Sequence, residues 1–466
     1  MSTVTTISPS TNQPVVTRAG VTADDLKRVA DNAQEAFWTF SQSTTLAQRQ
    51  ELVTRAMDIL EKRKDVLAHE LTEQMGRPIG FSPVEIATAI KRSHFLNRVS
   101  NTVLNEVVPG EEETGFRRFI KRQPVGVAFI IFAWNYPWLI LVNSLIPAIL
   151  AGNAVILKPS PQTPTIVEQI ASAFEEAGLP KNVIQFVHCG EPSLLEGLIQ
   201  SPKVDHICFT GSVTGGLAVQ KAAVDRIVNV GLELGGKDPA YVRNDVDIPW
   251  AAEQIVDGAV FNSGQSCCAI ERVYVHKNIY EPFVGEVKKV LGNYVVGDPF
   301  DTKTHVGPVI SKRAKETILA HIVDAVSKGA KDETPANATF ENTPAEGNYV
   351  KPTLLTGVNH GMDVMTQETF GPVIPIMKVE DDDEAIRYMN DSEFGLTASI
   401  WSRDIEGAEK LVDRVEAGTV YINRSDYPSP DLAWTGWKNS GRGVTLSRFG
   451  FEQFVKLKSH HIKAHP

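Results

Sequence analysis

The stretch that decides the fold is "FIIFAWNYPWLILVNSLIPAILAGNAVIL", Phe129 to Leu157. Its length and apolar content are those of a membrane span. Asn135, Pro137, Asn143, Pro147, Gly152 and Asn153 interrupt it, and a span of this length carries few such polar or helix-breaking residues. It reads instead as strand, loop, buried helix and second strand. Working outward, "VGVAFIIF", "NAVILK", "VIQFV" and "DHICF" are short apolar runs of the kind that fill a parallel sheet. "TIVEQIASAFEEAG", from Thr165, has helical spacing and supplies a crossover. The pattern is a doubly wound α/β fold, in which ligands sit at the C-terminal ends of the strands.

Upstream, Leu26, Val29, Ala33, Ala36 and Phe37 fall at helical spacing, with Thr22 as the cap. A second helical pattern runs through Leu52, Ala56, Ile59, Leu67 and Leu71 and stops at Gly76 and Pro78. Two segments do not fit the doubly wound core. "FRRFIKRQPVG", from Phe116, alternates basic and apolar residues as exposed strands do. The final "FVKLKSHHIKAHP" reads as another strand. Exposed strands invite pairing with another chain. There is no internal repeat, and "KDETPANATFENTPAEG", from Lys331, reads as an exposed loop.

The chain has 466 residues, enough for two or more domains and a large core. Hydrophobic residues make up 42% and charged residues 22%, which is ordinary for a soluble globular enzyme. A formal charge of −10 argues against nucleic acid or an anionic membrane as the main partner. Cys189, Cys208, Cys267 and Cys268 are too few and too irregular for a disulfide framework, so a reducing compartment, the cytoplasm, is expected. No CxxC or HExxH occurs, and no metal site is expected. His460, His461 and His465 read as a solvated tail. "MSTVTTISPS" lacks the basic region and apolar run of a signal peptide.

Six short motifs carry chemistry. "FNSGQSCCAIER", from Phe261, sets two cysteines side by side after Gly264. They suit a structural pair, a metal ligand pair or a nucleophile, and a nucleophile needs a partly open, electropositive setting. "LELGGKDP" sets Glu233 before two glycines, where a glutamate can serve as a general base. "FTGSVTGG", from Phe209, follows a strand and opens a helix, which suits a pyrophosphate. "FAWNYPW" places Asn135 just after a strand, where its amide can donate to an oxyanion or simply form a turn. "LKPSPQTP" ends a strand at Lys158, and "QETFGPV" carries Glu368 and Phe370.

In combination these motifs resemble the aldehyde dehydrogenase superfamily, nearly end to end. The "GQxC" match at Gly264–Cys267, "LELGGK" at Leu232–Lys237 and "WNxP" at Trp134–Pro137 carry the resemblance. It implies an α/β fold with a doubly wound cofactor domain (1–110 and 125–235), an α/β catalytic domain (236–448) and a small β oligomerisation arm (111–124 and 449–466). It implies that Cys267 attacks the aldehyde, with Cys268 a bystander, and that Asn135 and the Cys267 amide hold the oxyanion. Hydride passes to the nicotinamide, and water activated by Glu233 hydrolyses the thioester to a carboxylic acid. Lys158 would bind the adenosine ribose, with Ser160 beside it able to take a 2′-phosphate, Gly211 and Ser212 the pyrophosphate, and Glu368 the nicotinamide ribose. Phe370 and Trp134 would flank the nicotinamide. Tyr136, Leu139, Ile140 and Asn143 would line one side of the substrate tunnel, with Phe261, Ser266, Cys268 and Trp434 completing it.

The departures are informative. Many NAD-preferring members have a glutamate where this chain has Pro161. Acceptance of NADP, alongside NAD, is therefore expected. Members acting on succinic semialdehyde tend to have arginines at the positions of Asn143 and Phe261. Neutral aliphatic or aromatic aldehydes are expected instead, with Arg424 the reservation. The usual "FGGxKxSGxGRE" has become "WTGWKNSGRGVT", from Trp434 to Thr445. A succinic-semialdehyde-type enzyme, a CoA-acylating relative and a silent binding protein with the same fold are the rivals; retention of Glu233 argues against the acylating one, and retention of Cys267, Glu233, Asn135 and Lys158 against the silent one. The exposed strands near Phe116 and Val455 match the family's oligomerisation elements, so the resemblance implies a homodimer or homotetramer.

Overall fold

The computed structural model describes residues 3–108, 110, 111 and 113–464; His465 lies outside them. The deciding stretch forms the strand Val127–Ile131, the helix Pro137–Ala151 and the strand Ala154–Lys158. Every residue of Val127–Ile131 is buried. Its polar interruptions have structural work. Asn153 is fully buried, accepts from the Gly126 N–H, and donates to the carbonyls of Ala148 and Phe454. A buried amide so satisfied costs little. No helix of the described residues is long and apolar enough to cross a membrane.

Around this unit a six-stranded sheet forms, in the order Gly441–Arg442, Asn229–Glu233, His206–Thr210, Val127–Ile131, Ala154–Lys158, Ile184–Phe186. All neighbours are parallel except Gly441–Arg442, which runs antiparallel to Leu232 and Glu233. The order reverses between Val127–Ile131 and His206–Thr210, and a crevice opens at such a switch point. Asn135 and Gly211 follow those two strands.

A seven-stranded sheet makes the second layer system, in the order Lys331–Asp332, Thr353–Thr356, Val373–Val379, Ile270–His276, Asp238–Val242, Thr397–Trp401, Thr419–Ile422. Only its first pair is antiparallel. Gly441–Arg442 falls within the 236–448 stretch expected in this unit, yet it joins the other sheet. The reason is an open edge: the Glu233 strand has a free side that the returning chain fills.

The strands Phe116–Pro124 and Val455–Lys463 pair with each other over nine residues. His460 stacks on Phe119 at 4.4 Å between ring centroids, so His460 and His461 belong to a strand rather than to a solvated tail. The long helical pattern is two helices, Leu46–Lys62 and Lys64–Met75, broken at Arg63. A hairpin, Thr3–Ile7 with Pro14–Ala19, precedes the first helix, Ala23–Ser43, which Thr22 caps through a reciprocal bond with Asp25. The expected loop from Lys331 contains a short strand and the helical turn Ala338–Glu341, pinned by buried Phe340.

Candidate active site

The cysteine loop is built on backbone that few sequences tolerate. Asn262, Ser263 and Gly264 have φ of 54°, 59° and 72° in succession. A Cβ at Gly264 would fall 2.2 Å from the Gly371 carbonyl. Side chains lock the turn. Asn262 donates to the Gln265 carbonyl at 3.1 Å, Ser263 to the Gly307 carbonyl at 2.9 Å, and Gln265 accepts from the Ile310 N–H at 2.7 Å. The turn leaves Cys267 partly exposed and Cys268 buried.

The two thiols have different surroundings. Cys268 packs among Leu396, Trp434 and Leu446 and donates to Asp426 Oδ1 at 2.9 Å. Its interaction with Cys267, then burial, raise its pKa well above the ordinary thiol value, which keeps it protonated. Ser266 donates to the same Asp426 oxygen at 2.9 Å. The Asp426 carboxyl faces the cavity yet is walled in by protein, and burial pushes its pKa up to about 6.

Asn135 is buried, and its Nδ2 donates to the Gln265 carbonyl at 3.3 Å. Its amide therefore reaches the cysteine loop. The Asn135 carbonyl accepts from Arg77 at 2.5 Å and from Asn262 at 3.3 Å. Arg77 also forms a fully buried ion pair with Glu85 and lies over the Tyr136 ring at 4.3 Å. Glu85 in turn accepts from the N–H groups of Trp138 and Leu139, at the start of the following helix. Burial raises the Glu85 pKa, and Arg77 with these two N–H groups opposes that rise.

Glu233 ends its strand and is bonded to Thr210 at 3.0 Å and to Thr445 in a short hydrogen bond. Burial raises its pKa, and the two hydroxyls and the charge of Arg92 oppose that rise. The next two glycines are close-approach positions. A Cβ at Gly235 would strike the Glu368 carboxylate, and one at Gly236 would lie 2.3 Å from the Cys267 carbonyl. This turn thus brings three motifs together.

Lys158 ends the adjacent strand, and burial lowers its pKa. Ser160 accepts from the Gln162 N–H at 3.2 Å. Ser212 caps the helix Val213–Ala222 by accepting from the Gly215 N–H, just after Gly211. Glu368 accepts from the Gly236 N–H at 3.0 Å, and burial with the charge of Glu271 raises its pKa to about 7. Trp134 and Phe370 meet edge to face at 5.7 Å. A cation and a hydroxyl at one strand end, a capped helix start at the next and a carboxyl opposite form a donor set that fits a dinucleotide.

Every catalytic and substrate candidate lines one cavity of about 560 Å³. Tyr136, Leu139, Ile140 and Asn143 descend from one helix and its entry; Phe261, Ser266, Cys268 and Trp434 face them. The cofactor candidates lie outside these walls. The same walls hold residues that the motifs did not single out: Arg77, Glu85, Arg92, Thr210 and Asp426. Arg92 is 4% exposed and donates to Asn143 at 2.9 Å and to the Pro428 carbonyl at 3.0 Å. Arg424 is exposed and stacks on Tyr427 at 3.9 Å. Among the described residues, no group of three His, Cys, Asp or Glu is arranged to hold a metal ion.

The aldehyde dehydrogenase family model matches residues 1–460. Human retinaldehyde dehydrogenase 3 is 32% identical over 462 residues, covering 98% of this chain and 89% of that protein. Succinate-semialdehyde dehydrogenase [NADP(+)] 1 of Mycobacterium ulcerans is 30% identical, covering 98% and 99%. The crystal structure of an NAD-dependent aldehyde dehydrogenase from Sinorhizobium meliloti superposes with a TM-score of 0.95 at 30% identity, covering 100% of this chain and 92% of that one. The chain belongs to the aldehyde dehydrogenase family. It is an oxidoreductase of the aldehyde dehydrogenase class.

Proposed function

We propose that Cys267 is the nucleophile, Asn135 the oxyanion donor and Glu233 the base for deacylation, acting on a neutral aliphatic or aromatic aldehyde. The observation that carries this reading is the partly exposed Cys267 opening on the cavity that Asn135 and Glu233 also line. Cys267 adds to the aldehyde carbon. The Asn135 amide and the Cys267 N–H stabilise the oxyanion that forms. When bound, the nicotinamide supplies the hydride acceptor. Glu233 then takes a proton from the water that opens the thioester. Lys158 and Ser160 would hold the adenosine ribose, Gly211 and Ser212 the pyrophosphate, and Glu368 the other ribose, with Trp134 and Phe370 beside the ring.

The test begins with variants. Cys267→Ala should abolish turnover, whereas Cys268→Ala should keep most of it. Asn135→Ala should lose about 3 kcal/mol of transition-state stabilisation, roughly a hundredfold or more in rate; a rate near wild type would remove that role.

Neutral substrates are supported by Asn143 and Phe261, uncharged side chains at the two wall positions where relatives acting on succinic semialdehyde tend to have arginines. A buried unpaired carboxylate on the substrate would be costly without a partner. Initial rates on aliphatic, aromatic, amino and carboxylated aldehydes, with both cofactors, test this. Turnover of the carboxylated aldehyde alone would overturn it and point to Arg424. Pro161 supports acceptance of NADP, and a kcat/KM preference for NAD above about a thousandfold would sink that expectation. The exposed paired strands support a homodimer or homotetramer. The free cysteines support a reducing compartment such as the cytoplasm.

A further inference from the structure

Both carboxylate oxygens of Glu233 are bonded, and the two donors come from opposite sides. Thr210 Oγ1 donates to Oε2 at 3.0 Å; it ends the parallel neighbour strand, in register with Glu233. Thr445 Oγ1 donates to Oε1. It lies just beyond the antiparallel edge strand Gly441–Arg442. Thr445 is 5% exposed, and its backbone exchanges two hydrogen bonds with Trp434, at 2.9 and 2.8 Å. Its backbone is thus anchored beside the Glu233 carboxylate. In the motif from Trp434, this position carries threonine where the pattern has glutamate. A second carboxylate facing Glu233 would repel it, whereas a hydroxyl donates to it.

We propose that Thr445 is a positioning residue for Glu233: with Thr210 it forms a two-hydroxyl clamp that fixes the carboxylate's orientation and favours its ionised form. This rests on Glu233 being the deacylating base. Each carboxylate oxygen keeps further lone-pair capacity, so the clamp leaves room for the reacting water. The groups facing Glu233 are few. Arg92, from the helix Ser82–Val103, favours the ionised form. Cys208, from the neighbouring strand, has a thiol that burial raises and keeps neutral. Cys267 and Cys268 share the cavity, and Cys268 is held protonated. The hydroxyl donors stabilise the carboxylate and lower its pKa, so removing one moves its titration to higher pH.

The experiment is the rate of acyl-enzyme decay against pH, read by rapid quench and protein mass. Wild type, Thr445→Val, Thr445→Ser and Glu233→Gln are compared, with thermal melts as a folding control. Thr445→Val should move the acid limb upward by about one pH unit, and Thr445→Ser should restore it. A uniform fall in rate with an unmoved limb would make Thr445 merely structural and overturn the proposal. If Thr445→Val does not fold, Thr210→Val carries the test, with the same shift expected and an unmoved limb overturning it. Glu233→Gln separates the two readings. If it deacylates at the wild-type rate, the base assignment falls and the proposal with it. If it stalls while Thr445→Val keeps the wild-type limb, only the proposal falls.

Discussion

At the scale of single residues, Gly264 is the most constrained position in the cysteine loop. Its φ of +72° and the 2.2 Å approach to the Gly371 carbonyl exclude any side chain. Gly264→Ala should therefore cost about 1–3 kcal/mol of local strain or more, and it should lower the amplitude of the first-turnover burst. A wild-type burst would show that the loop can relax. The need for a small residue here was legible from the sequence. So was Glu233, because it precedes two glycines. Arg77, Glu85, Thr210 and Asp426 were not legible, because each acts through a partner outside its own local motif. Arg77 meets Asn262 across 185 positions, and no local pattern announces such a contact. Thr445 left a trace, as part of a motif that departs from the family's pattern, but nothing in the sequence said what it touches.

At the scale of elements, the parallel strands and their crossovers were readable because buried strands are continuous apolar runs. The helix ends were readable where caps exist, as at Thr22. The N-terminal hairpin was missed because only one face is buried and its partners are distant. It is tied down by Arg18, which donates to both oxygens of Glu168 at 2.6 and 2.8 Å. Burial alone would raise the Glu168 pKa, but His188 and Arg18 outweigh it and hold the carboxylate at about 2. A depressed carboxylate stabilises the fold above its unfolded value near 4.5 and loses that contribution as pH falls toward about 2. Glu168→Gln should therefore have a lower denaturant midpoint than wild type at pH 7, and the gap should narrow by pH 3. A gap that stays constant would assign the effect to packing alone.

At the scale of the whole molecule, the alternating basic and apolar residues at each end of the arm foretold strands but not their pairing with one another. Register over nine residues is a long-range property, fixed by the fold that brings both termini of the arm together. Leu457 is 68% exposed and Ile462 46% exposed on this ribbon. Leu457→Lys should shift the proposed oligomer toward smaller species in sedimentation velocity, with little change in the melting temperature. An unchanged sedimentation coefficient would place the interface elsewhere.

The edge strand Gly441–Arg442 has a consequence for synthesis. It covers the free side of the strand that carries Glu233, yet it is translated more than two hundred residues later. Until the ribosome delivers it, the Asn229–Glu233 strand of a nascent chain has one edge without this partner. The bond from Thr445 to Glu233 therefore forms only after the C-terminal part of the chain has been made.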